Sequence, residues 1–173
     1  AFDMQGVAPA RAGTEEAAKF CESVVAPLHW EGDKNPSSWK DGVVTPTPCF
    51  KEAFSQFAEG GWQGVIHPAA FGGQGLPKLI ATPCAEMLHA ASLSFALCPM
   101  LTDGAIEALL VAGSDELKRK FAAKLISGEW TGPMNLTEPQ AGRALGAGRP
   151  RPDPPAGARS RVVAPSIFRP PRV

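Results

Sequence analysis

The chain has 173 residues, 44% of them hydrophobic and 20% charged, with 17 basic and 17 acidic side chains. That leaves room for one ordinary domain plus the beginning of another, and it excludes low-complexity and collagen-like classes. The zero formal charge conceals a division: Arg143 to Val173 hold seven Arg and one acid, Asp153, which leaves 10 basic and 16 acidic residues before them, so a body of net −6 carries a tail of net +6. Cys21, Cys49, Cys84 and Cys98 are scattered, without the clustered soft ligands a zinc site needs, and read as buried free thiols in a reducing compartment. No apolar run approaches the roughly 20 residues that cross a bilayer, and no signal-peptide pattern opens the chain, so a cytoplasmic protein is expected. The chain starts at Ala1 rather than Met, which reads as a cut front end.

In chain order, Thr14 followed by Glu15 and Glu16 predicts a helix start, a hydroxyl cap ahead of acids in the first turn. Ala17, Phe20, Cys21, Val24 and Val25 recur at helical spacing on one apolar face, and Pro27 disturbs that face before Leu28 and Trp30. Asn35 to Pro48 read as an irregular loop. Phe50, Ala53, Phe54 and Phe57 predict a second helix ending at Gly60-Gly61. Gly72 to Pro77 form a tight turn that matches neither a dinucleotide nor a Walker phosphate loop. Leu79 to Leu97 read as one helix buried on most sides, with His89 packed inside it. Thr102-Asp103-Gly104 are expected to start the next helix, which carries Ile106, Leu109 and Leu110 and stops at Gly113. Ser114 with Asp115 and Glu116 opens a last helix that ends at Gly128. The predicted organisation is a helical domain over 14–128, a first β-domain strand and turn over 129–142, and an Arg/Pro-rich tail over 143–173. That tail has too little apolar material to fold and is expected to be disordered. The fold class is therefore mainly α. His29 and His67 show no partner that would make either a nucleophile's base.

Met134-Asn135-Leu136-Thr137-Glu138-Pro139-Gln140-Ala141-Gly142 is similar to the Thr-Glu-Pro-x-Ala-Gly signature of the acyl-CoA dehydrogenase family. An isolated Thr-Glu-Pro would be an ordinary surface turn. Two upstream blocks resemble the same family in the same order: His67-Pro68-Ala69-Ala70-Phe71-Gly72-Gly73-Gln74-Gly75, and Gly113 to Lys118 continuing through Leu125 to Glu129. The resemblance spans about Ala17 to Gly142 and lies nearest the branch acting on 3-methylmercaptopropionyl-CoA. It implies an FAD-dependent oxidoreductase, a flavoprotein of fatty acid metabolism, which desaturates an acyl-CoA thioester between Cα and Cβ. In such an enzyme the backbones of Met134 and Leu136 and the hydroxyl of Thr137 would contact the flavin ring, and Gly142 would let the chain pass close to it. The resemblance also implies an acyl-CoA substrate, an electron acceptor and a homo-oligomer for the complete enzyme; the lack of a long apolar run argues against a membrane partner, and the lack of interleaved aromatics against nucleic acid.

The family's pattern breaks after Gly142. Its Ser-Asp-Leu-Gly-Ala is replaced by Arg143-Ala144-Leu145-Gly146-Ala147, and Ile167-Phe168 is followed by Arg169-Pro170 where a Thr belongs. Arg149 to Pro155, with four prolines, is not expected to supply a strand. An excess of Arg, Pro, Gly and Ala is what misread GC-rich codons give, and the tail is read as out of frame; finding no Ser-Asp segment in the other two DNA frames would sink that reading. The family's catalytic base lies on a C-terminal helical domain. Glu86, Glu107 and Glu138 read as surface carboxylates, so no catalytic residue is assigned and the fragment is expected to be inactive alone. The alternative from another class is a non-catalytic helical remnant or interaction module, whose seven tail arginines hold an acidic partner. A flavin acyl-CoA oxidase on the same scaffold is a third reading.

Overall fold

A computed structural model of the chain describes residues 7–133, 151–153 and 161–163. The chain divides into two compact units, Ala1–Pro133 and Met134–Val173. The first is mainly α, as its apolar periodicity requires.

Helix α1 (Val7–Phe20) starts ahead of Thr14. Thr14 does not cap it: the hydroxyl lies inside the helix and donates to the Arg11 carbonyl at 2.9 Å, a bond that satisfies a mid-helix Thr. The helix continues through a wide π turn, Cys21–Val25, closed by Ala26 N–H donating to Cys21 O, and then through α2 (Ala26–Lys34). Pro27 therefore does not end it. It falls where the wide π turn passes into α2, and Leu28 is buried just beyond. Trp30 lies on the outside with the Lys34 ammonium 4.7 Å from its ring centre.

The stretch expected as irregular loop holds a β-hairpin. Strands β1 (Ser38–Lys40) and β2 (Val43–Thr45) pair antiparallel with Trp39 opposite Val44. Asp41 and Gly42 turn the chain with φ of 52° and 84°, the left-handed pair that a two-residue hairpin requires and that Asp-Gly supplies. Helix α3 (Phe50–Glu59) forms as its spacing predicts, burying Ala53 and Phe57, and Gly61 at φ 69° turns the chain away from its end.

Two short 3₁₀ turns, Trp62–Gly64 and Ala69–Phe71, lead through the glycine segment to α4 (Lys78–Ala91). The apolar run Leu79 to Leu97 is not one helix. Ser92 is extended (φ −158°), fully buried, and its Oγ accepts from Phe95 N–H at the start of α5 (Leu93–Ala112). Nor is the run buried on most sides, since Leu79, Leu93 and Leu97 are exposed. Helix α5 runs straight through Thr102-Asp103-Gly104, so no helix starts there. At 20 residues and a mean hydropathy of 1.6, α5 is long and apolar enough to cross a membrane, contrary to expectation. Its buried residues Phe95, Ala96, Pro99, Thr102 and Ile106 share one face, however, and that stripe packs into the helical core.

Gly113 ends α5, and Ser114 Oγ accepts from Leu117 N–H to open α6 (Asp115–Leu117), which continues through a π turn, Lys118–Ala122, into α7 (Ala123–Ile126). Gly128, φ 77°, closes it. Two apolar clusters hold the unit: one around Val25, Leu28, Phe57, Phe95 and Ala96, the other around Ile106, Ala122 and Ile126. In the first, Phe57 and Phe95 meet edge to face at 6.2 Å.

Of the strand expected to open at Glu129, residues 129–133 are irregular, and the rest lies outside the described residues. In the second unit, β3 (Arg151–Asp153) and β4 (Arg161–Val163) pair antiparallel with Pro152 opposite Val162. This corrects the expectation that the proline-rich stretch supplies no strand. A two-stranded ribbon has two free edges, so the Pro152 nitrogen, which has no hydrogen to donate, need not face a partner carbonyl.

Candidate functional site

The segment leading toward the signature is anchored at several points. Trp130 N–H donates to Lys124 O at 3.0 Å, and the Trp130 ring lies 5.9 Å from Phe121 with the Lys124 ammonium 4.5 Å above it. Lys124 also reaches Glu129 at 2.9 Å. Two residues on, Gly132 N–H donates to Thr102 Oγ1 at 3.1 Å, and that hydroxyl itself donates to Cys98 O at 2.9 Å. A Cβ at Gly132 would stand 2.6 Å from the Ala105 Cβ, so only glycine lets this irregular segment lie so close to α5. The path of the chain up to Pro133 is thereby tied to α5 and α7. The residues assigned to the flavin, Met134, Leu136, Thr137 and Gly142, lie outside the described residues.

The glycine segment is bound into its own backbone. Gly72 N–H donates to Ala69 O, Gly73 to Pro68 O, Gln74 to Gly64 O, Gly75 to His67 O and Leu76 to Val65 O, each at 2.8–3.1 Å. Five successive amides are thus used, and the turn does not fit a dinucleotide phosphate, which needs such amides free. Gly73 is packed onto the His67 carbonyl, where any Cβ would collide with backbone.

His67 is paired with a carboxylate rather than with a nucleophile. It is 2% exposed, and its Nε2 lies 2.6 Å from Asp103 Oδ1 on α5. One helical turn further, Glu107 pairs with Lys78 at the start of α4, and this hydrogen bond raises the lysine pKa. The glycine segment is therefore pinned to one face of α5 at both ends. The two members of the first pair are 36 residues apart in the chain, a separation at which no local pattern could join them. His89 is half-buried rather than within the core, and its Nδ1 meets Ala85 O at 2.7 Å.

Between α1, α3, α4 and α5 lies an apolar cavity of about 180 Å³, with Phe20, Cys21, Phe57, Trp62, Cys84 and Leu88 among its walls. Burial pushes the Cys21, Cys84 and Cys98 thiols up, and at Cys21 the nearby Cys84 and Glu22 add to the effect. Gln63 donates from Nε2 to Pro99 O at 3.2 Å, while its Oε1 is buried with no partner among the described residues. Glu86 is exposed and Glu107 is engaged by Lys78.

Residues 10–129 match the family model described as the N-terminal domain of acyl-CoA dehydrogenase. The chain belongs to the acyl-CoA dehydrogenase family. This is a flavin-dependent family with FAD as cofactor. The chain is similar to 3-methylmercaptopropionyl-CoA dehydrogenase of Ruegeria pomeroyi, 47% identical over 136 residues, which are 79% of this chain and 23% of that protein. A butyryl-CoA dehydrogenase of Syntrophomonas wolfei is 34% identical over 149 residues, 84% of this chain and 24% of that protein. The chain thus spans about a quarter of the length of these acyl-CoA dehydrogenases. In fold it resembles a chain of the electron transferring flavoprotein structure from Acidaminococcus fermentans, with a TM-score of 0.69, 21% identity, and coverage of 88% of this chain and 37% of that one. It also resembles glutaryl-coenzyme A dehydrogenase in its glutaryl-CoA complex, with a TM-score of 0.65, 23% identity, and coverage of 82% and 34%.

Proposed function

We propose that this chain is the N-terminal helical part of an FAD-dependent acyl-CoA dehydrogenase, an enzyme that removes hydrogen from Cα and Cβ of an acyl-CoA thioester. The family match over residues 10–129, followed directly by the Met134–Gly142 segment, carries the reading. Within it, the anchored segment 129–133 leads into Met134, Leu136 and Thr137, whose backbones and hydroxyl would contact a flavin ring, and Gly142 would permit close backbone approach. FAD would supply the hydride acceptor. Removal of the α-proton falls to a carboxylate that none of this chain's residues is assigned to provide, so the chain alone is expected to turn over no acyl-CoA. The complete enzyme would be a cytoplasmic homo-oligomer that passes its electrons to a separate acceptor. The likeness to a 3-methylmercaptopropionyl-CoA dehydrogenase makes that thioester the first substrate to try.

Titrating FAD against the purified chain tests the cofactor assignment. Saturable quenching of flavin fluorescence, weakened several-fold by Thr137→Ala, is the expected result. Absence of quenching would overturn the assignment of these residues and favour the interaction-module reading, for which the net +6 tail is the supporting observation. Nucleic-acid binding that falls steeply with added salt would then be its mark.

A further inference from the structure

We draw no further inference here: the strongest candidate, the apolar cavity between α1, α3, α4 and α5, carries nothing, because the one partnerless buried polar atom on its lining residues, Gln63 Oε1, has almost no accessible surface and nothing in the structure shows what fills the space.

Discussion

His67 is buried and polar, and such a group is stable only while its partner remains. Replacing it by Ala removes a hydrogen bond to a carboxylate and opens space beneath the glycine segment. A loss of about 1–3 kcal/mol in urea unfolding is expected. Asp103 is partly exposed and can recover water, so Asp103→Asn should cost less than His67→Ala. A double-mutant cycle returning no coupling between the two would show that the pair holds nothing. The cysteines separate by environment in a second measurement. Cys21 is buried and Cys84 half-buried, whereas Cys49 and Cys98 are exposed, which corrects the expectation that all four are buried; desolvation raises the Cys21, Cys84 and Cys98 pKa values above the ordinary thiol value. Mass-spectrometric alkylation near pH 8 should modify Cys21 last, because it is the buried thiol and its raised pKa leaves little of the reacting thiolate. The sign for stability follows from the direction of the shifts. A thiol whose folded pKa is raised contributes stability that is intact below its unfolded pKa, near 9, and lost as pH rises through the folded value. Equal labelling of all four cysteines in the native protein would contradict this order.

Between elements, the consequential residue is Ser92. Its backbone is extended and its side chain caps α5, so it divides what reads as a single apolar helix into α4 and α5. The division was legible in principle, since Ser is a preferred N-cap, but the surrounding Ala and Leu drown one hydroxyl in any hydrophobic count. Ser92→Ala should lower stability by about 0.5–1 kcal/mol, at the modest end because the capping bond to Phe95 is long, at 3.5 Å. An unchanged melting temperature would mean that packing alone sets the break. The hairpin at Ser38–Thr45 carried a clearer signal in Asp41-Gly42, a pair whose conformational freedom suits a two-residue turn. Its six strand residues are all exposed and offer no buried alternation, which is why hydrophobic patterning passes over it. Thr102 shows the reverse case. Thr-Asp-Gly reads as a helix start, yet the Thr hydroxyl sits in mid-helix, donating to Cys98 O one turn back in α5 and accepting a tertiary bond from Gly132 N–H.

For the molecule as a whole, helix α5 has two apolar faces, one in the core and one outside. Leu93, Leu97, Met100 and Val111 follow helical spacing along the outer face, Val111 at 86% exposure. Contiguous apolar surface of this kind drives self-association of an isolated unit. Leu97→Lys combined with Val111→Lys should reduce concentration-dependent light scattering while leaving helical circular dichroism unchanged. Scattering that persists in the double variant would place the cause elsewhere. From the sequence by itself came the mainly helical class, the ends of α3 and α7, the cap at Ser114 and the family, because periodicity, glycine stops and motif wording are local and survive without coordinates. Three motif blocks in the right order identified an acyl-CoA dehydrogenase before any contact was known. Only the tertiary structure decided that His67 meets Asp103, that Gly132 lies against Ala105, and that one helix runs through Thr102. Those features depend on which distant surfaces the packed chain brings together, and nothing within a few residues of each position encodes its partner.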